Sequence, residues 1–219
     1  MSQVIQFVLA SKSPRRKELL QRLGISFQVI TMDTDEKVSS SDPAMITSVL
    51  ANRKAMAVAE GLVCQGGTLW MREPLVENTK MQIGPADKAI VIGADTLVVC
   101  DGHILTKPGS VVEARRMIHM IQNRSHEVYT GVAVLTLQDG HQDRGRTFHD
   151  KTIVHVGKLD EIEIEEYITS PEPYDKAGGY GIQGDFAKYI TGIEGDYYNV
   201  VGLPVNKLYQ ELKSLGIRL

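Results

Sequence analysis

The chain has 219 residues, 42% hydrophobic and 23% charged, which suits one globular domain or two lobes sharing a core and leaves no stretch that reads as disordered. Its net charge of -3 gives no general basic field for nucleic acid, so any anion site has to be built locally. No segment approaches the apolar length of a membrane span, and Cys64 and Cys100 are too few for a disulfide scaffold or a zinc cluster.

Met1 to Leu9 lacks the basic start and cleavage site of a signal peptide, and with two cysteines the expectation is a reduced, cytoplasmic protein. Ile217-Arg218-Leu219 shares only its last two residues with a peroxisomal tripeptide.

Val4 to Ala10 (VIQFVLA) is an apolar run of strand length, and Leu19, Leu20 and Leu23 before Gly24 mark a short helix after it. Between them lies Ser11-Lys12-Ser13-Pro14-Arg15-Arg16. Ser13 suits an N-cap and Pro14 the first helical position, where a missing N–H costs nothing. Arg15 and Arg16 then stand in the first turn, where the helix dipole favours an acidic side chain by about 0.3–1 kcal/mol. An anion on the helix end resolves the conflict, held by backbone N–H groups, the Ser11 and Ser13 hydroxyls and the two guanidinium forks. The stretch reads as a phosphate site, the other reading being a pair of solvated arginines.

Phe27 to Thr31 is a second strand, followed by the acidic turn Asp33-Thr34-Asp35-Glu36. Asp42-Pro43 opens a helix whose stripe Ile46, Val49, Leu50 and Val58 runs to Gly61, with Lys54 inside it. From Gly61 to Lys88 no regular period survives Gly66-Gly67, Pro74 and Pro85. The expectation there, over residues 61–88, is a long mobile loop insertion whose Leu69-Trp70-Met71 either pins it to the body or meets a partner.

Ala89 to Cys100 (AIVIGADTLVVC) is the most strand-like segment, apolar on both sides of Gly93-Ala94-Asp95-Thr96. A buried, unpaired carboxylate costs several kcal/mol. Asp95 is therefore paired, bound to a metal, placed at a cleft, or bonded to nearby backbone.

Asp101-Gly102 makes a hairpin turn into Leu105-Thr106-Lys107-Pro108, and Ser110 to Glu113 has the spacing of a capping box. The helix behind it carries Val112, Met117, Ile118 and Ile121. Val128 to Leu137 and Lys151 to Leu159 read as strands, and Asp160 to Glu163 caps a helix through Ile168. Asp175 to Gly184 is glycine-rich, Phe186 to Ile193 reads as a strand, and Pro204 starts a last helix with the stripe Val205, Leu208, Leu212 and Leu215. Gly179 to Gly184 matches G-x-G-x-x-G, but the dinucleotide fingerprint needs a strand before it and a helix after it, whereas Asp175-Lys176 precedes and a strand-like segment follows. No P-loop signature, G-x-S-x-G or H-E-x-x-H occurs, and the six histidines show no ligand spacing.

Taken together, Leu9 to Arg16, Asp35-Glu36, Leu50 to Ala55, Gly93 to Thr96, Lys107-Pro108, Gly131-Val132-Ala133, Asp175 to Gly184 and Asn199 to Pro204 resemble the Maf family. These are nucleoside triphosphate pyrophosphatases related in fold to the inosine triphosphate pyrophosphatases. The resemblance implies a single α/β domain of two lobes over residues 1–219: a long, twisted mixed sheet flanked by helices, split by a central cleft. It also implies hydrolysis of a nucleoside triphosphate between its α and β phosphates, with a divalent metal. Arg15, Arg16, Lys54 and Lys107 are then the cations around the triphosphate, Lys54 and Lys107 neutralising charge that develops on it. Glu36 and Asp95 are the carboxylates for Mg²⁺ or Mn²⁺, and Asp95 matches the proton acceptor, with its role as base, ligand or both left open.

The subgroup acting on dTTP and UTP is similar to this chain at Arg15, Thr96 and Gln183, whereas the 7-methyl-GTP subgroup carries Gln after the acid and Glu in the later motif. An amide at Gln183 both donates to and accepts from a pyrimidine edge. A house-cleaning enzyme on dTTP, UTP or modified pyrimidine triphosphates is the leading expectation. The alternatives are the same reaction on 7-methyl-GTP and a non-catalytic nucleotide-binding regulator of cell division. Family likeness also implies a homodimer, while the net charge and the lack of an aromatic and basic face argue against a nucleic-acid partner, and the lack of an apolar span against a membrane. The segment from Gly61 to Lys88 is longer than the family's usual link.

Overall fold

The computed structural model describes residues 4–72, 80–138 and 141–219. The first apolar run forms β1 (Ile5–Leu9), followed by α1 (Pro14–Arg22) and β2 (Phe27–Val29). The long α2 (Pro43–Gly61) begins at its proline, with the Asp42 carboxylate accepting from the Ala44 N–H.

Residues 61–88, expected as a mobile loop, instead carry β3 (Leu62–Gln65), β4 (Thr68–Arg72) and β5 (Lys80–Pro85), an antiparallel three-stranded sheet of their own. Residues 73–79 of that stretch lie outside the described residues. Gly66 and Gly67, read as an interruption, are the hairpin: their φ values of 60° and 71° suit a two-residue loop whose twist matches the flanking strands. Leu69 is wholly buried beside Ala55, Val58 and Ala59 of α2 and pins the small sheet to the body.

The chain continues through β6 (Lys88–Cys100), β7 (His103–Leu105), α3 (Val111–Ile121), β8 (Arg124–Gln138), β9 (His141–Val156) and α4 (Glu161–Thr169). It closes with β10 (Ile190–Glu194), α5 (Tyr197–Val201) and α6 (Val205–Ser214). Both halves of the capping box form at Asp160 and Glu163. At α3 only the Ser110 half forms, because the Glu113 carboxylate accepts from the Gly109 N–H. Phe186 to Ile193 is not one strand. Asp185–Tyr189 is a 3-10 turn that folds Phe186 and Tyr189 into an aromatic cluster with Tyr167 and Tyr180.

The main sheet has seven strands in the order β10-β9-β8-β6-β1-β2, with β7 also paired to β6. β1 runs parallel to β2 and β6, and every other pair is antiparallel. Alternate residues face opposite ways, as the two-residue repeat requires. Leu9, Ile90, Ile92 and Val132 pack under Leu19 and Leu20 of α1 and Leu208 and Leu212 of α6, whereas Val8, Val91 and Ala133 pack under α2. Beyond these, Val98, Cys100, Val128 and Val154 form a further core with α3, α4 and the aromatic cluster. Among the described residues no helix is long and apolar enough to cross a membrane.

Candidate active site

β1 accompanies β6 only to the Leu9–Ile92 pair, and β7 joins it only from Val98. Among the described residues, Gly93 to Leu97 therefore have no strand partner on that edge, and the sheet forks. At an open edge both faces of a strand reach one gap: Asp95 bonds Lys54 of α2 on one side, and Thr96 bonds Arg16 of α1 on the other. Clefts at such switch points follow from the topology of α/β sheets. This one has a volume of about 1220 Å³, above the ~300–1,000 Å³ of most small-molecule sites.

Every residue singled out from the sequence lines this cleft. Ser11, Ser13, Arg15 and Arg16 come from the start of α1, and Glu36 and Lys54 from the acidic turn and α2. Asp95 and Thr96 lie on β6, Lys107 follows β7, and Gln183 stands in the glycine-rich segment.

Ser13 occupies the N-cap position of α1, but its side chain makes no cap bond, and its own N–H donates to Ser11 Oγ at 3.3 Å. Among the described residues the first turn of α1 is thus left without a side-chain cap, which leaves its N–H groups open to an anion. Arg16 is the most heavily engaged residue of the cleft. Its Nε donates to the Gly202 carbonyl at 2.8 Å, Nη1 to Ser11 Oγ at 3.1 Å and Nη2 to Thr96 Oγ1 at 2.8 Å. Burial lowers its pKa, an effect opposed by the Asp95 charge and reinforced by Arg15.

Thr130 donates to the Asn199 carbonyl at 2.9 Å, so Thr96 is the donor in its 3.0 Å contact with Thr130. The Asn199 amide then donates to the Val128 carbonyl and to Thr152 Oγ1, both at 3.0 Å. Thr130, Thr152 and Asn199 are wholly buried, and this polar chain ties α1, β6, β8, β9 and α5 beneath the cleft floor. Sequence reasoning gave these three no role. For Thr130 and Thr152 the available signal was a polar side chain inside a strand, which must find a partner when buried.

Lys54 Nζ lies 2.6 Å from Asp95 Oδ1 and 3.4 Å from Glu36 Oε1. Arg53, also missed, donates from Nη1 to the carbonyls of Asp35 at 2.9 Å and Lys37 at 2.7 Å, holding the acidic turn against α2. On the opposite wall Asp175 joins Arg15 at 3.1 Å to Lys176 at 2.5 Å. Burial pushes the Asp175 carboxyl up, but Lys176 and Arg15 outweigh it and hold the group below its ordinary value. Neither Asp175 nor Lys176 was singled out, although both stand at the head of the glycine-rich motif.

Two carboxylates converging on one ammonium mark a point that suits a hard cation. Among the described residues no three His, Cys, Asp or Glu side chains gather to hold one alone. Glu36 and Asp95 would supply two carboxylate oxygens to a Mg²⁺-like ion, the remaining ones coming from outside the protein.

Fold and cleft together define an α/β protein with a mixed-charge ligand site at a fork in its sheet. The chain belongs to the Maf-like protein family, which matches residues 6–215. A dTTP/UTP pyrophosphatase of Agathobacter rectalis is 43% identical over 212 residues, 97% of this chain and 98% of that protein. A second dTTP/UTP pyrophosphatase, from Bacillus cytotoxicus, is 41% identical over 210 residues, 95% of each chain. Among solved structures, the Staphylococcus aureus Ham1 protein aligns with a TM-score of 0.43 and 12% identity over 96% of this chain and 99% of that one.

Proposed function

We infer that the chain is a nucleoside triphosphate pyrophosphatase that hydrolyses dTTP and UTP to the monophosphate and pyrophosphate. The observation that carries this is the Glu36–Lys54–Asp95 cluster at the open edge of β6, facing the uncapped, basic start of α1 across one cleft. Binding alone would not need a carboxylate beside an ammonium at that edge.

In this reading the triphosphate lies between the α1 start and Lys54, with Arg15, Lys54 and Lys107 balancing its charge. Arg16 contributes chiefly by fixing Ser11, Thr96 and the Gly202 carbonyl. Asp95 accepts the proton of the attacking water as its oxygen bonds phosphorus and the bridge between the α and β phosphates breaks. Glu36 and Asp95 would hold Mg²⁺ or Mn²⁺, which supplies charge neutralisation and acidifies water when bound. Gln183, Thr96 and Arg15 select the pyrimidine. The buried Cys64 and Cys100 support a reducing compartment such as the cytoplasm.

The test is pyrophosphate release from dTTP, UTP, CTP, GTP, 7-methyl-GTP and ITP with Mg²⁺ or Mn²⁺ and a chelator control. Metal-dependent release strongest with dTTP and UTP is expected, and Asp95→Asn should lower it by a factor of order 10² or more while leaving the fold intact. Preference for 7-methyl-GTP would keep the reaction and overturn the specificity. Nucleotide binding without turnover would make the protein a regulator.

A further inference from the structure

Gln183 stands on the turn Gly181-Ile182-Gln183-Gly184, which is closed by the Gly184 N–H donating to the Gly181 carbonyl at 3.2 Å. Its side chain is exposed on the cleft wall, and among the described residues it has no hydrogen-bond partner. A side chain so placed reads a base only as well as the turn beneath it is held.

Glu172, set behind the cleft wall, holds that turn. Its Oε2 accepts the Asp185 N–H at 2.8 Å and its Oε1 the Tyr167 hydroxyl at 3.2 Å. It lies so close that a Cβ on Gly184 would stand 2.2 Å from Oε1, and one on Gly181 3.3 Å from it. The Glu172 carbonyl accepts from Lys176 Nζ at 2.7 Å, and the Lys176 stem also packs against Gly181, where a Cβ would stand 2.7 Å from its Cε. Burial, and then the Glu172 charge, push the Tyr167 hydroxyl pKa far above its ordinary value, so it stays a donor to the carboxylate. Tyr180, just before the turn, is fixed in its turn by His126 at 2.7 Å.

We propose that Glu172 is a positioning residue for base selection, clamping the Gly181–Gly184 turn so that Gln183 meets the pyrimidine edge. The proposal rests on the reading of Gln183 given above. It separates two tasks in one cleft: the α1 start and Lys54 take the phosphates, and a turn clamped by a remote carboxylate takes the base.

The experiment compares kcat and KM for dTTP, UTP, GTP and ITP in the wild type, Glu172→Ala, Glu172→Gln and Gln183→Ala, with tripolyphosphate as an inhibitor that reads the phosphate half alone. Glu172→Ala is expected to raise KM for dTTP about tenfold, to change kcat less than about threefold, and to cut the dTTP preference over GTP about fivefold or more. Its inhibition by tripolyphosphate should stay within about twofold of wild type. Glu172→Gln keeps an acceptor for the Asp185 N–H and should recover most of the preference, which loss of stability alone would not explain. Gln183→Ala should lose the same preference, and the double variant should lose no more. A Glu172→Ala enzyme with lower activity on all nucleotides and an unchanged preference would overturn the proposal, as would a Gln183→Ala enzyme that keeps its preference. A wild type that releases no pyrophosphate would instead fail at the first arm, removing the proposed function and this inference with it.

Discussion

His126 lies on β8, 2% exposed, with Nε2 against the Tyr180 hydroxyl and Nδ1 lacking a protein partner among the described residues. Burial, and then the nearby His155, lower its pKa to about 4. The unfolded chain, with an ordinary imidazole near pH 6.5, binds the proton more readily than the folded one. His126 therefore favours folding fully above about pH 6.5, and that contribution is lost as pH falls through the window down to about 4. The span is about 3 kcal/mol. Urea unfolding of the wild type and His126→Gln across this range should give curves that converge toward acid, the variant lacking that part of the decline. Parallel curves would show that His126 does not titrate on unfolding. Tyr180 leads into the Gly181–Gly184 turn, so under the proposed role of that turn a change at His126 should also be felt in KM for dTTP.

At the scale of elements, α2 is the part most exactingly placed, since it carries Lys54 to the fork. It can approach because the sheet presents glycine beneath it: a Cβ on Gly131 would stand 2.3 Å from the Thr47 carbonyl oxygen, and one on Gly93 2.3 Å from that of Ala51. Both obstacles are backbone, so neither can swing aside. Gly131→Ala should cost at least the ~1–3 kcal/mol of an overpacked core, lowering the melting temperature, and should reduce turnover by displacing Lys54. A variant that melts like wild type with full turnover would show that α2 has room to spare. The sequence made α2 legible through Asp42-Pro43 and its apolar stripe, and β6 through the apolar runs on both sides of Gly93 to Thr96. It hid the β3–β5 sheet, because Gly66-Gly67 looks the same whether it breaks a pattern or turns a hairpin. The cleft residues were legible as motifs, but their division of labour was not. Nothing local tells that Arg16 bonds Gly202, or that the carboxylate of Glu172, between two prolines, reaches Gly184.

For the whole molecule, the cleft at the fork draws on α1, β6 and the glycine-rich segment, so a ligand there should stabilise the structure as one unit. With turnover blocked by Asp95→Asn, dTTP at about 100 times its Kd should add about 2.7 kcal/mol, or a melting shift of roughly 5–10 °C in a single transition. A split transition would show that the two sides of the cleft melt separately. The Arg16–Gly202 hydrogen bond spans 186 positions. A ribosome must therefore pass position 202 before the loop that opens α1 can take its final form. A chain stalled just short of Gly202 carries Asn199 and every charged residue of the cleft named above, yet it lacks the carbonyl that fixes Arg16. The three-way grip of Arg16 on Ser11, Thr96 and Gly202 is thus a late event of synthesis, completed only after β6 and the glycine-rich segment have been made.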